Sequence, residues 1–211
     1  MSDPSDEALL AAHLRGDPHA FGRLVTRHER RVYGLCLRIL GNREDAEDAT
    51  QEAFLAALRK AATFRQAAAF TTWLYRVAVN AATDQARRRG RARLTPLDPE
   101  DVGLAADPGG DPGELVATAV TVQAALAQVP EEYRVAVVVC DLYRVPYAEA
   151  AQILEVPVGT VKSRVFRGRL ALAERLGDAT TRPTLRVVGG AGTESPSRAS
   201  EPKEPDRPSQ E

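Results

Sequence analysis

The stretch YAEAAQILEVPVGTVKSRVFRGRLALAERL, Tyr147 to Leu176, carries the strongest local signal in the chain. A short helix over Tyr147–Leu154, a turn around Glu155–Gly159 and a longer basic helix from about Gly159 to Leu176 form a helix-turn-helix. The second helix of that motif enters the major groove of duplex DNA near its N-terminal end. Ala150 and Ala151 let the two helices approach closely, and Ile153, Leu154, Val161 and Val165 supply buried contacts. Lys162, Ser163, Phe166 and Arg167 leave from one outward side at i, i+1, i+4 and i+5. Lysine and arginine can donate to guanine edges, and an aromatic group can pack on a thymine methyl. Arg164 and Arg169 are placed to meet phosphates. A solvated basic helix in an ordinary bundle is the competing reading; the turn spacing and the adjoining GTVKSR run weigh against it.

Upstream lies ATFRQAAAFTTWLYRVAVNAATDQARRRGRAR, Ala62 to Arg93. An aromatic-bearing loop running into an aromatic and basic helix suits single-strand reading, with planar groups beside unstacked bases and guanidinium groups along the backbone. The loop Phe64–Phe70 is the candidate pocket for an extruded base, whose capture must recover a few kcal/mol of lost stacking and pairing. Trp73, Leu74 and Val77 at helical spacing also read as core, and Arg87, Arg88 and Arg89 also read as a helix-end charge cluster. Further upstream, NREDAEDATQEAFLAAL places Asp45, Asp48 and Glu52 on one helical face at i, i+3 and i+7, and Ala46, Ala49, Ala53 and Ala57 on another. Taken alone, an acidic face is usually a solvated one.

These motifs sit in an all-α chain of two small helical domains. Residues 7–40 carry Phe21, Leu24, Val25, Val32, Leu35, Cys36 and Ile39 at amphipathic spacing and end at Gly41. Asn42 caps a second helix to about Lys60, with Glu44 and Asp45 at its positive end. A third helix spans about Phe70 to Arg89. The first domain is thus 7–93. Residues 94–113, LTPLDPEDVGLAADPGGDPG, hold four prolines and four glycines and read as a flexible acidic linker. The second domain, 114–177, begins with a helix over Leu115–Val129 and another from Pro130 through Tyr143, within which VAVVV at 135–139 reads as helix or strand. Residues 178–211 read as a disordered tail. Fully extended, the linker reaches roughly 65 Å, and about 17 base pairs at ~3.4 Å each span roughly 58 Å. Both domains can therefore touch one stretch of DNA.

A net charge of −1 over 211 residues argues at first against a nucleic-acid partner. The distribution reverses that inference. Arg76 to Arg93 holds six arginines against Asp84, Pro157 to Gly177 five basic residues against Glu174, and Asp98 to Glu114 six acids and no base. The N-terminus MSDPSDEALL lacks a basic region and an apolar signal core, and no apolar run is long enough to span a bilayer, so a cytoplasmic protein without membrane insertion is expected. Cys36 and Cys140, each among aliphatic residues, read as core. His13, His19 and His28 lack a ligand pattern, and no metal or other cofactor is expected. Without a nucleophile–base pair, metal constellation or phosphate-cradling glycine loop, catalysis and a small-molecule substrate are not expected.

Taken together, the three motifs resemble the extracytoplasmic-function RNA polymerase sigma factors, a match covering about residues 7–177 apart from much of the linker. DAEDATQEAFLAAL resembles the family's core-polymerase-binding segment, which implies that Asp45, Asp48, Gln51 and Glu52 dock on a helical clamp of the largest polymerase subunit. FRQAAAFTTWLYRVAVNAATDQARRR resembles the promoter-melting and minus-ten-reading segment. The resemblance implies that Phe64, Arg65, the 66–69 loop and Asn80 handle a flipped base, with Arg76, Arg87 and Arg88 along the strand. VPVGTVKSRVFRGRL is similar to the minus-35-reading helix and implies contact roles for Lys162, Ser163, Arg164, Phe166 and Arg167. Core RNA polymerase, promoter DNA and an anti-sigma factor are the implied partners, with the acidic linker threading a basic polymerase channel.

Two departures stand out. Gly168 replaces the family's more usual alanine, at a cost of up to about 1 kcal/mol in a helix interior, which predicts a looser helix there. The loop FRQAAAF lacks the glycine and acid often seen after FR. LTPLD and ATAVTVQAAL resemble the actinobacterial sigma-M-like subgroup. The main rival, a repressor or response-regulator output protein, accounts for the C-terminal third alone and leaves the acidic helix, aromatic loop and acidic strap unexplained.

Overall fold

The computed structural model describes residues 3–65, 69–89 and 112–181, with side chains from 120 to 177 in the last span. Among the described residues there are eight α-helices and no strand: α1 (Asp6–Leu14), α2 (Ala20–Leu40), α3 (Arg43–Lys60), α4 (Phe70–Arg89), α5 (Pro112–Ala127), α6 (Glu131–Val137), α7 (Tyr147–Leu154) and α8 (Val158–Thr181). The all-α class read from the sequence is the observed one. Most of the linker, the loop residues 66–68 and the tail beyond 181 lie outside the described residues; α5 begins at Pro112, inside the segment assigned to the linker.

The first departure from the sequence reading is in 7–40, which is two helices rather than one. Gly16, at φ +100°, turns the chain after α1, and the Asp17 carboxylate accepts from the His19 amide at 2.9 Å as α2 begins. The Gly16-Asp17-Pro18 run is a breaker by composition. Ser5 caps α1, accepting from the Ala8 amide at 3.2 Å. The helix is then fastened to α2 by Asp6, which accepts from Arg27 at 2.6 Å and pairs with His28 Nε2 at 2.7 Å.

The N-terminal core forms where α2, α3 and α4 meet. Leu24, Val32, Leu35, Cys36 and Ile39 of α2 are fully buried. The alanine row Ala46, Ala49, Ala53 and Ala57 is buried along α3, and these short side chains let the three helix axes approach closely. Asn42 caps α3 as read, accepting from the Asp45 amide at 2.9 Å. The start of α4 is held from a distance: the Phe70 amide donates to the Glu7 carboxylate at 3.3 Å.

In the C-terminal unit the ambiguous run Val135–Val139 is helical and buried, continuing from α6 into a wider turn in which the Tyr143 amide donates to the Val138 carbonyl at 3.0 Å. A helix that is apolar all round is one packed on all sides, which is why its periodicity could not separate helix from strand. Gly168 of α8 faces this element. A Cβ built there would stand 2.5 Å from Val137 Cγ2 and 2.9 Å from the Tyr133 carbonyl oxygen. The missing side chain at Gly168 is what allows α8 to touch α6, a packing role that helix propensity alone does not show.

The two units share one apolar cluster, with Leu126 and Val138 joining the α2 core. The Tyr143 hydroxyl donates to the Arg31 carbonyl at 2.9 Å, and its ring meets Tyr75 edge-on with centroids 5.5 Å apart. Gln123, buried, reaches the Leu37 carbonyl at 3.4 Å. Cys36 and Cys140 are buried, as read; burial pushes their thiols up to about 12 and about 11, which leaves them unreactive near neutral pH.

Candidate nucleic-acid interface

The helix-turn-helix forms from α7 and α8. Ala150, Ile153, Val161 and Val165 are buried between the helices, while Lys162, Ser163, Phe166 and Arg167 are exposed. Phe166 is 69% exposed, an unusual state for a phenylalanine. The outward face predicted from spacing is thus the open one. The arginines divide. Arg167 lies over the Tyr133 ring at 5.8 Å and donates to its hydroxyl at 3.1 Å. Arg164 pairs with Glu132 at 3.1 Å, and Arg169 makes two bonds to Asp141, at 2.6 and 2.9 Å. The two side chains read as phosphate contacts are therefore engaged within the chain.

Against α4 lies a cleft of about 460 Å³ lined by Lys60, Phe64, Arg65, Trp73, Arg76 and Asn80, with Gln152 and Ile153 of α7 and the capping Glu155 on the opposite side. Phe64 packs edge-on against Trp73 and Phe70, centroids 5.5 and 5.9 Å apart. Trp73 satisfies both readings, since it is half-buried in this aromatic group and also lines the cleft. Arg87 pairs with Asp84 at 3.3 Å, and Arg88 is exposed one residue on. The cleft therefore gathers Phe64, Arg65, Arg76 and Asn80, and leaves Arg87 and Arg88 further along the same helix.

The acidic set on α3 is not one open face. Asp48 and Gln51 are exposed and Glu52 is half-exposed, accepting from Arg59 at 2.6 Å, but Asp45 is 6% exposed. The Asp45 carboxylate accepts from Asn42, from Gln85 at 3.2 Å and from Arg89, tying the first turn of α3 to the last turn of α4. Helical spacing alone could not show that a second helix end covers this position. What spacing did offer, and the reading missed, is the exposed pair Leu55 and Leu58. They line a groove of about 800 Å³ between α2 and α3, together with Gln51, Phe54, Val25 and Tyr33.

Although burial pushes the Asp45 carboxyl up, the bonds from Arg89, Asn42 and Gln85 outweigh it and hold the group below the ordinary carboxylate range. A carboxyl whose folded value is depressed stabilises the fold fully above its unfolded value, about 3.9. That stabilisation is lost as pH falls through the folded value. Asp45→Asn is expected to lower stability by about 1–2 kcal/mol near neutral pH, with the gap to wild type closing in urea titrations below about pH 4. A constant gap across pH would contradict the ionised role.

A helix-turn-helix with an open basic-aromatic face, beside a separate aromatic and arginine-lined cleft, is the architecture of a helical DNA-binding protein. Two family models match the chain, Sigma-70 region 2 over residues 24–92 and Sigma-70 region 4 over 119–172. The chain is 43% identical over 182 residues to the ECF RNA polymerase sigma factor SigM of Mycobacterium tuberculosis strain H37Rv, covering 86% of this chain and 90% of that protein. It belongs to the extracytoplasmic-function family of RNA polymerase sigma factors, the subunits that direct promoter-specific initiation of transcription. The structure of CnrH in complex with the cytosolic domain of CnrY matches with a TM-score of 0.60 at 27% identity, over 83% of this chain and 99% of that one. The sigma factor RpoE of Bartonella quintana, in complex with the anti-sigma factor NepR, shares the fold at 23% identity and TM-score 0.62, over 75% of this chain and 98% of that one.

Proposed function

We propose that residues 7–93 read the opened minus-ten strand, that residues 114–177 read the minus-35 duplex, and that the linker 94–113 spans the two within polymerase. The observation that carries this reading is the division of α8 into a buried face of Val161, Val165 and Gly168 and an open face of Lys162, Ser163, Phe166 and Arg167. Lys162 and Arg167 supply donors for guanine edges, Phe166 packs against a thymine methyl, and Ser163 bonds either base edge. Arg164 joins them once it exchanges Glu132 for a phosphate. Phe64, Arg65 and Asn80 receive the extruded base in the cleft, with Arg76, Arg87 and Arg88 along its backbone. Asp48, Gln51 and Glu52 lie on α3, whose Gln51 and exposed Leu55 and Leu58 line the α2–α3 groove and give core polymerase an apolar centre beside polar and acidic positions. Asp45 supports this surface from beneath.

The chain works in the cytoplasm and makes or breaks no bond itself. An anti-sigma factor is its natural regulator, in keeping with the family. Adding the purified chain to core polymerase and a promoter library is expected to yield specific run-off transcripts. Lys162→Ala with Arg167→Ala is expected to lose them from templates that depend on a minus-35 element. No polymerase-dependent transcript from any template would overturn the reading.

A further inference from the structure

Helix α1 ends at Leu14, ahead of the residues 24–92 that match Sigma-70 region 2, and it contributes no residue to the lining of the strand-reading cleft. It is nevertheless fixed to the bundle at several points. Leu9 and Leu10 are buried in the core shared with α2, and Asp3 accepts from Arg23 at 2.8 Å and from Arg27 at 2.5 Å. With the bonds of Asp6 to Arg27 and His28, these contacts fix where α1 sits along α2.

Glu7, the next residue of α1, reaches α4. Its Oε1 accepts from the Phe70 amide at 3.3 Å, 63 residues along the chain. That amide belongs to the first turn of α4, whose donors the helix cannot satisfy internally. No local side chain takes the place of a cap: Ala69 opens the helix, its carbonyl accepting from the Trp73 amide at 3.2 Å, and an alanine methyl accepts nothing. The carboxylate carried by α1 fills that role, at the end of α4 where the helix dipole favours negative charge. Phe70 is held from its ring side as well. His28, paired with Asp6, meets the Phe70 ring with centroids 5.6 Å apart. Phe70 is 2% exposed and in turn meets Trp73 at 5.6 Å and Phe64 at 5.9 Å, the two aromatics that line the cleft. It is the hidden back wall of the aromatic group that faces a captured base.

Resting on the strand-reading assignment above, we propose that α1 is a strut of the base-capture cleft and that Glu7 is its positioning residue. The Glu7–Phe70 bond sets where α4 starts, and the Phe70 ring then sets how Phe64 and Trp73 stand against each other. Glu7 touches no DNA itself. It acts on base selection through Phe70, and leaves alone the α3 residues assigned to polymerase and the α8 residues assigned to duplex.

The test assembles holoenzyme from core polymerase and each of four full-length chains: wild type, Glu7→Gln, Glu7→Ala and Ile39→Val. Glu7→Gln keeps an acceptor oxygen at the same reach, and Glu7→Ala removes it. Ile39→Val trims a buried side chain of α2 roughly three helical turns beyond His28, which lowers stability without touching the strut. Each holoenzyme is offered a promoter recovered by run-off transcription, its opened downstream strand randomised one position at a time, and the bound molecules are sequenced. Melting temperature and co-purification with core polymerase are measured alongside. At the captured position, the ratio of most to least favoured base is expected to fall about tenfold in Glu7→Ala, the discrimination one base position ordinarily carries, and to stay within about twofold of wild type in Glu7→Gln and Ile39→Val. All four chains are expected to bind core polymerase alike. An unchanged ratio in Glu7→Ala overturns the strut alone. An equal fall in Ile39→Val, or loss of polymerase binding in Glu7→Ala, also overturns it, because the bond then supports the bundle as a whole. A Glu7→Gln chain as impaired as Glu7→Ala overturns the acceptor role. A wild type without preference at any opened position overturns the strand-reading assignment, and the strut with it.

Discussion

Reversing Asp48 and Glu52 to lysine together is expected to abolish binding to core RNA polymerase, a loss of at least a hundredfold, in a protein that still folds. The two side chains lie on the outward part of α3, Asp48 exposed and Glu52 half-exposed. Reversal turns an attractive rim into a repulsive one, and juxtaposed like charges at an interface cost several kcal/mol. A hundredfold in affinity corresponds to about 2.8 kcal/mol. Folding survives because the Glu52–Arg59 pair is surface-borne and contributes little. Co-purification with core polymerase reads the effect, and an unchanged melting curve with unchanged duplex binding excludes misfolding. Retained polymerase binding would refute the docking assignment. The same reversal at Asp45 is a different experiment, because it places a cation against Arg89 in a covered site.

Gly168→Ala is expected to destabilise the chain by about 1–3 kcal/mol, although alanine is the better helix former by up to about 1 kcal/mol. The new methyl meets Val137 Cγ2 at 2.5 Å and the Tyr133 carbonyl at 2.9 Å, and the second of these is backbone that cannot rotate away. Relief requires α8 to move off α6, which also moves Lys162 and Arg167 relative to the rest of the domain. Duplex binding is therefore expected to weaken with stability. Gly159→Ala on the same helix serves as the internal comparison, since a Cβ there meets nothing within 4 Å. That change is expected to be neutral or slightly stabilising. Equal melting temperatures for the two variants would show that α8 has room to shift.

Much of the architecture was legible because the deciding signals are local. Asn42 before an acidic first turn, the alanine row of α3 and the spacing of Ile153, Val161 and Val165 each specify an element within a few residues of chain. The split between α1 and α2 is equally legible in Gly16-Asp17-Pro18, a breaker run that outweighs the longer apolar pattern around it. The groove with Leu55 and Leu58 was signalled by two leucines three residues apart, on a helix whose buried face was already filled by alanine.

The helix-turn-helix read from Tyr147–Leu176 was determined by sequence alone, down to which side of α8 is open, because helical periodicity separates faces without knowledge of any other element. Tertiary structure decided what lies across from each face. Asp45 is a buried, tied carboxylate because Arg89 and Gln85 arrive from 40 residues or more along the chain. Gly168 is a contact point because Tyr133 comes within reach of it. Arg76, open by pattern, meets Glu155 from 79 residues away. Periodicity describes one helix in its own frame, whereas the partner of a side chain depends on how several helices pack.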